Sequence, residues 1–239
     1  MKTVGISMWK AAVGRHFRDR ADHLLRKAGI DQWVFVVRRT NDLTLQAIQV
    51  LAERSSGRII VVVETWPAPT DRMARLSRAA DAGIETALAA GASRVLYHES
   101  DLRSPDDVVE RLEATKAAIV GGWPVLPGHD CDRRLLLRHD AMLLGETVFY
   151  DTWAYRVGGV RFMNKAPYHE VYAPDRPFRL DSVGSVALID ADYLRRGARF
   201  APGAFVSLCE QARGLGGEVW CDPRIEIQQP LELWEFNND

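Results

Sequence analysis

The run Tyr97-His98-Glu99-Ser100-Asp101 sets two carboxylates two residues apart at the end of an apolar stretch. If extended backbone persists across it, positions i and i+2 face the same side, so Glu99 and Asp101 point into one space. Two such groups suit a hard divalent cation that completes its coordination with substrate phosphates, as Mg²⁺ or Mn²⁺ does. The plainer alternative is a pair of solvated loop acids near a helix start. The next residues do read as a helix start, with Ser104 as cap, Pro105 at the first helical position and Asp106 and Asp107 near the positive helix end.

Other apolar runs also end in polar residues. Ser7 lies near the end of the first, Thr40 and Asp42 follow the second, and Glu64 follows the third. In open parallel sheets, ligands gather beyond the carboxyl ends of the strands, so these positions are expected on the ligand side. Neither GxGxxG nor GxxxxGK[ST] occurs, which argues against a dinucleotide-dependent dehydrogenase and a P-loop NTPase. His129, Asp130, Cys131 and Asp132, with His139 and Asp140, match no compact zinc-ligand spacing and read as a polar loop.

The elements that must position these residues follow from periodicity. Thr3 to Met8, Trp33 to Val37, Ile59 to Val63 and Arg94 to His98 are short β-branched or aromatic runs, read as buried strands. Between them lie segments with apolar residues at helical spacing. Phe17, Ala21, Leu24 and Leu25 mark one; Leu45, Ile48 and Leu51 mark another, with Asn41 or Asp42 as its cap; Met73, Leu76, Ala80, Ile84 and Leu88 mark a third. The alternation predicts an α/β fold with a mostly parallel sheet flanked by helices. After Val120 the pattern weakens. Gly121-Gly122-Trp123-Pro124 reads as turn material, and residues 123–180 read as irregular. A strand at Val183 to Ile189, a helix at Ala204 to Arg213, and two short strands at Glu218 to Trp220 and Arg224 to Ile227 complete the reading.

The chain has 239 residues, 47% of them hydrophobic and 26% charged, with a formal net charge of −1. That balance lacks the basic footprint of a nucleic-acid or anionic-membrane binder. No apolar run is long enough for a membrane span, and no secretory signal is evident at the start. Cys131, Cys209 and Cys221 are far apart and odd in number, so no disulfide framework is expected. A cytoplasmic location with reduced thiols is the expectation.

A resemblance emerges from the ordered motifs. Residues 94–102, Arg-Val-Leu-Tyr-His-Glu-Ser-Asp-Leu, resemble the strand and acidic motif of GT-A fold glycosyltransferases, including family-2-like enzymes. Residues 78–84 resemble the donor-side helix of that group. Residues 150–156, followed by Gly159 and Phe162, are similar to a segment of fungal capsule-associated and related mannosyltransferases. Residues 180–189 and the closing stretch 217–225 resemble further parts of the same enzymes.

The resemblance implies a GT-A-like, Rossmann-related α/β domain with a smaller mixed acceptor-side region. Residues 1–122 would form the nucleotide-sugar-binding half, and residues 123–239 the acceptor-side loops and closing region of the same domain. It implies transfer of a sugar from a nucleotide-diphosphate donor to a hydroxyl, with Glu99 and Asp101 holding Mn²⁺ or Mg²⁺ on the diphosphate. Ser7, Thr40, Asp42 and Glu64 lie where such enzymes bind the nucleoside. Arg72, Arg75 and Arg78 are either phosphate contacts or solvated helix residues. Candidate bases are Asp151, Asp181, Glu210 and His169. Trp123, Trp153, Tyr155, Tyr168 and Tyr172 either stack on sugar or pack inside.

Two departures from the family pattern stand out. Gly203-Ala204-Phe205-Val206 occupies the register of the usual Glu-Asp pair, and no histidine follows the closing proline, Pro223. The alternatives left open are a sugar nucleotidyltransferase and a non-catalytic nucleotide-binding protein. The acceptor is unassigned among a glycan, a small molecule and a modified nucleobase.

Overall fold

The computed structural model describes residues 1–9, 17–38, 43–64, 71–127, 142–144, 147–149, 154–161 and 175–230. The first half follows the predicted alternation: β1 (Thr3–Trp9), α1 (Phe17–Leu25), β2 (Gln32–Arg38), α2 (Thr44–Arg54), β3 (Ile59–Glu64), α3 (Arg72–Ala89), β4 (Arg94–His98) and α4 (Val108–Glu113). Then come β5 (Ile119–Pro127), β6 (Met142–Leu144), β7 (Thr147–Phe149), β8 (Arg156–Val157), β9 (Val160–Arg161), β10 (Phe178–Arg179) and β11 (Val186–Asp190). Two helices, α5 (Ala191–Arg195) and α6 (Ala204–Gly214), precede the last strand, β12 (Val219–Gln228).

The main sheet runs β10-β12-β5-β11-β4-β1-β2-β3, with β7 joining β5 and β6 joining β7. β1, β2, β3 and β4 are mutually parallel, and β12 is parallel to β5. β11 runs antiparallel between β4 and β5. The carboxyl ends of β1 to β5 and β12 therefore share one rim.

Each strand puts alternate residues on opposite faces. Val4, Ile6, Val34, Val36, Val95 and Tyr97 face a core built with α3, α5 and α6. Trp9, Trp33, Phe35, Val37 and Leu96 face a second core built with α1, α2 and α4. Gly83 of α3 lets that helix close on β1, since a Cβ there would lie 2.7 Å from Ile6 Cγ2. The first turn of α3 is capped by the Asp71 carboxylate, which accepts from the Ala74 amide at 2.9 Å.

Three expectations change. Gly121-Gly122-Trp123-Pro124 is the middle of β5, not a turn. These glycines answer to packing: a Cβ on Gly121 would lie 2.7 Å from Val183 Cβ, and one on Gly122 would lie 2.6 Å from Ile227 Cγ1. The two short strands expected near the end are one strand, β12, with a register shift between Cys221 and Glu226. Finally, α4 begins at Val108, not at Pro105. Ser104 does not cap it, because its hydroxyl is engaged by His98. The residues expected to cap α2, Asn41 and Asp42, lie outside the described residues. Among the described residues no helix is long and apolar enough to cross a membrane.

Candidate active site at the carboxyl rim of the sheet

β4 ends at His98, and the chain turns through Glu99, Ser100 and Asp101. Extended geometry does not persist here. The Glu99 amide donates to the Ser185 carbonyl at 3.1 Å, and the Leu102 amide donates back to the Glu99 carbonyl at 3.3 Å. Glu99 and Asp101 nonetheless share one three-residue turn at the carboxyl rim. Both act on the fully buried Tyr97 hydroxyl, whose pKa stands well above its usual value through burial first and then the nearby Glu99 and Asp101 charges. Tyr97 itself is held by Phe205, edge-on at 4.8 Å, and by Phe200 at 5.2 Å.

Arg20 of α1 reaches the same turn. Its Nε donates to the Ser100 carbonyl at 2.7 Å and its Nη2 to the Ser100 hydroxyl at 2.9 Å. The guanidinium lies 5.5 Å from the centre of the Trp9 ring at the end of β1. Burial lowers the Arg20 pKa, opposed by the charge of Asp101. From the other side, Gln229 Nε2 donates to the Asp101 carbonyl at 3.3 Å.

Beneath the turn lies a buried polar network. His98 Nδ1 sits 2.7 Å from the Glu99 carbonyl, which can only accept, so Nδ1 carries the proton. Nε2 therefore accepts, and the Ser104 hydroxyl donates to it at 2.9 Å. The Ser104 amide donates to His23 Nε2 at 3.1 Å, which fixes the other tautomer too. Lys27 Nζ donates to the Ser104 carbonyl at 2.6 Å and to Asp106 Oδ1 at 3.1 Å. Burial pushes His98 down to about 3, His23 to about 4 and Lys27 to about 8.

The structure places the other candidates unevenly. Glu64 ends β3, opposite Arg38, three strand spacings from β4 in the order β4-β1-β2-β3. At about 4.8 Å per spacing that is roughly 14 Å. Ser7 is fully buried two residues below the end of β1, and among the described residues its hydroxyl finds no hydrogen-bond partner. Arg72 and Arg75 start α3 at the rim side, whereas Arg78 lies about 9 Å further along the helix axis than Arg72. Arg72 and Arg78 are exposed and Arg75 is half-buried. Thr40, Asp42, Asp151 and His169 lie outside the described residues, as do residues 128–140 with their histidine, aspartate and cysteine cluster.

Asp181 is already engaged elsewhere. It accepts from the Gly159 amide at 2.9 Å and pairs with Arg213 of α6 at 3.3 Å. The preceding residue, Leu180, donates to Val219, where β12 begins, so Asp181 lies toward the end of the sheet remote from the rim. Glu210 is exposed on α6. The structure does not bring either to the carboxylate pair. Among the described aromatic candidates, Trp123 and Tyr155 are buried. The Tyr155 hydroxyl donates to the Gly122 carbonyl and has the Gly184 carbonyl 3.2 Å away, so it braces β5 against the entry to β11. Trp153, Tyr168 and Tyr172 lie outside the described residues. The Cys209 and Cys221 thiols are buried and pushed upward by burial, Cys209 to about 12.

Sequence reasoning missed Arg20, Gln229 and Ser185. Ser185 enters β11 with φ 64°, a left-handed conformation unusual outside glycine, and turns its carbonyl to Glu99. Only the sharp shift from small residues to an apolar run at 184–186 hinted at it. Arg20 and Gln229 carried no local signal.

Metal binding can be tested against this geometry. Among the described residues no three His, Cys, Asp or Glu side chains converge as ligands. A closed protein cage is therefore not what these residues form. A pair of carboxylates on one rim does fit a hard cation that takes its other oxygens from substrate phosphates and water.

No protein-family model matches the chain. No curated protein sequence matches it either. Solved structures do. A mannosyltransferase, PcManGT from Pyrobaculum calidifontis, in complex with GDP-Man and Mn²⁺, superposes with a TM-score of 0.55 at 14% identity, over 95% of this chain and 56% of its own. S. aureus TarS 1-349 in complex with UDP-GlcNAc gives 0.57 at 10% identity, over 96% and 59%. A 4-diphosphocytidyl-2C-methyl-D-erythritol synthase gives 0.50 at 15% identity, over 97% and 91%. The chain thus spans a little over half the length of those two transferase structures. Likeness at these identities speaks to architecture, and the architecture is the GT-A-like α/β fold: a mostly parallel sheet between helices, with the acidic turn on its carboxyl rim.

Proposed function

We propose that this chain is a glycosyltransferase that moves a sugar from a nucleotide-diphosphate donor to a hydroxyl acceptor, with a divalent cation shared between Glu99, Asp101 and the donor diphosphate. One observation carries the reading. Two acidic residues, Glu99 and Asp101, share the short turn after β4 at the carboxyl rim of a GT-A-like sheet, where ligands of open α/β sheets gather. Mn²⁺ or Mg²⁺ held there would neutralise charge growing on the nucleoside-diphosphate leaving group.

The chain's own residues then divide the work. Glu99 and Asp101 supply oxygen ligands. Glu64 and the rim-side start of α3, with Arg75, face the span that a nucleotide would occupy. Thr40 and Asp42 belong to the same nucleoside side of this reading. Asp151 stays its candidate base, because Asp181 is committed to Gly159 and Arg213 and Glu210 stands on an outer helix face. The hydroxyl acceptor and the assignment as a hexosyltransferase, inverting or retaining, are what the resemblance implies, and the division at residue 122 belongs to the same proposal.

Isothermal titration with UDP- and GDP-sugars, each with and without Mn²⁺, tests it. The expected result is binding of one donor that tightens with the metal. No binding to any donor under either condition would overturn it. Loss of donor hydrolysis in Asp101→Ala, with folding intact, would exclude a non-catalytic nucleotide binder.

A second reading, a sugar nucleotidyltransferase, draws support from the synthase likeness, which runs through nearly the whole of both chains. Against it stands the stretch Ser7 to Arg15, which has a single glycine where a glycine-rich phosphate loop would be needed. Pyrophosphate release from a nucleoside triphosphate and a sugar phosphate would favour this second reading.

A further inference from the structure

The three carbonyl oxygens of the acidic turn are each held by a side chain from a different part of the fold. His98 Nδ1, on β4, lies 2.7 Å from the Glu99 carbonyl. Arg20 Nε, on α1, donates to the Ser100 carbonyl at 2.7 Å. Gln229 Nε2, just past β12, donates to the Asp101 carbonyl at 3.3 Å. These bonds grip the main chain through its carbonyls. Arg20 adds a second bond, to the Ser100 hydroxyl at 2.9 Å, and is itself braced by the Trp9 ring. A forked guanidinium fixed at both its stem and its tip restricts the direction of the turn as well as its distance.

We propose that Arg20 is a positioning residue: it sets the acidic turn in the geometry in which Glu99 and Asp101 hold a divalent cation with the donor diphosphate. The inference rests on the functional reading above and goes beyond it by assigning α1 a part in the site. Residues that orient metal ligands without touching the metal typically contribute about 10- to 100-fold to metal affinity.

The sign of the effect separates positioning from charge alone. Arg20 is a cation beside Asp101. If it acted only through its charge, removing it would relieve repulsion and tighten binding of a second cation. If it positions the turn, removing it weakens binding.

The experiment titrates Mn²⁺ into the 239-residue chain with UDP or GDP held constant, read by the loss of free Mn²⁺ signal in electron paramagnetic resonance. Thermal unfolding is followed in parallel. Arg20→Met is expected to weaken Mn²⁺ binding by about 10- to 100-fold. Arg20→Lys, which keeps the charge and loses the fork, is expected to recover only part of that. Ser100→Ala removes one hydroxyl and tests the same clamp with a smaller change, with weakening of about threefold expected for loss of a single hydrogen bond of about 0.6 kcal/mol.

Unchanged or tighter Mn²⁺ binding in Arg20→Met and Ser100→Ala, with normal binding in the parent chain, overturns the positioning role alone. Full recovery in Arg20→Lys also overturns it, since the fork would then be dispensable. Absence of Mn²⁺ binding in the parent chain overturns the metal-assisted reading and this inference together. If Arg20→Met unfolds, Ser100→Ala and Arg20→Lys decide the matter.

Discussion

Two polar clusters meet at the end of β4, and they differ in what the fold lets them do. One is the turn Glu99 to Asp101 at the rim, whose two acidic residues are half-buried and whose charges bear on Tyr97. The other is His98, Ser104, His23 and Lys27, packed beneath it between β4, α1 and the loop before α4. Burial forces both histidines of the second cluster to stay neutral, and each ring nitrogen engaged there has a defined donor or acceptor role. Neutral rings with defined partners, and a buried lysine paired with Asp106, hold a loop in place. Charged groups at a rim can meet a ligand. The contrast teaches that five consecutive polar or titratable positions in a sequence can hold both scaffold and chemistry, and that burial decides which is which.

The widest gap between the clusters is expected in Asp101→Asn. It removes a charge from the rim and leaves every named backbone anchor intact. Donor turnover is expected to fall by roughly 100-fold or more, as for loss of a charged group that stabilises a transition state. Thermal stability should hardly move. A variant that unfolds instead would put Asp101 in the scaffold and erase the contrast.

His23→Leu probes the opposite side. It leaves the Ser104 amide without its acceptor, an unsatisfied buried group costing about 1–3 kcal/mol. For a chain of this size each kcal/mol lowers Tm by about 2–4 °C. Donor binding at permissive temperature is expected to persist. Loss of binding with unchanged Tm would move His23 into the site.

Acid sharpens the same contrast. Near neutral pH both folded and unfolded chains hold these rings neutral, and the network contributes in full. As pH falls below the ordinary histidine value of about 6.5, the unfolded rings take up protons and the folded ones do not. The unfolded chain is then favoured, and stability declines until the folded rings protonate at about 4 for His23 and about 3 for His98. Each ring contributes a slope of at most about 1.4 kcal/mol per pH unit in that window. Urea midpoints measured from pH 7 to pH 4 should fall steadily. A flat profile would mean the rings do not stay neutral.

The smallest effect belongs to Glu210→Gln. An exposed residue on α6 should leave stability within about 0.5 kcal/mol. Turnover should be unaffected as well, and a large loss would bring α6 into the site.

How far the fold could be read in advance depended on where each element's reason lay. The strands β1 to β4 were legible because buried parallel strands are continuous apolar runs, as in Trp33 to Val37 and Ile59 to Val63. β5 was not. Gly121 and Gly122 carry the local signature of a turn, yet they sit mid-strand because Val183 and Ile227 press against them from elsewhere in the chain. Gly121→Ala should therefore destabilise by about 1–3 kcal/mol, the range for overpacking a core. Ser104 misled in the same way, since its hydroxyl prefers His98 to the first turn of α4.

The site divides along the same line. The amino-acid sequence alone determined the alternating βα half, the two carboxylates after β4, and the absence of a glycine-rich phosphate loop, because these depend on residues a few positions apart. Tertiary structure alone decided that Arg20 and Gln229 grip the acidic turn across 80 and 128 residues of chain, and that Asp181 is spent on Gly159 and Arg213. Hydrophobic periodicity and turn chemistry are local and can be read along a chain. A hydrogen bond between distant segments exists only once the sheet has brought their ends to one rim.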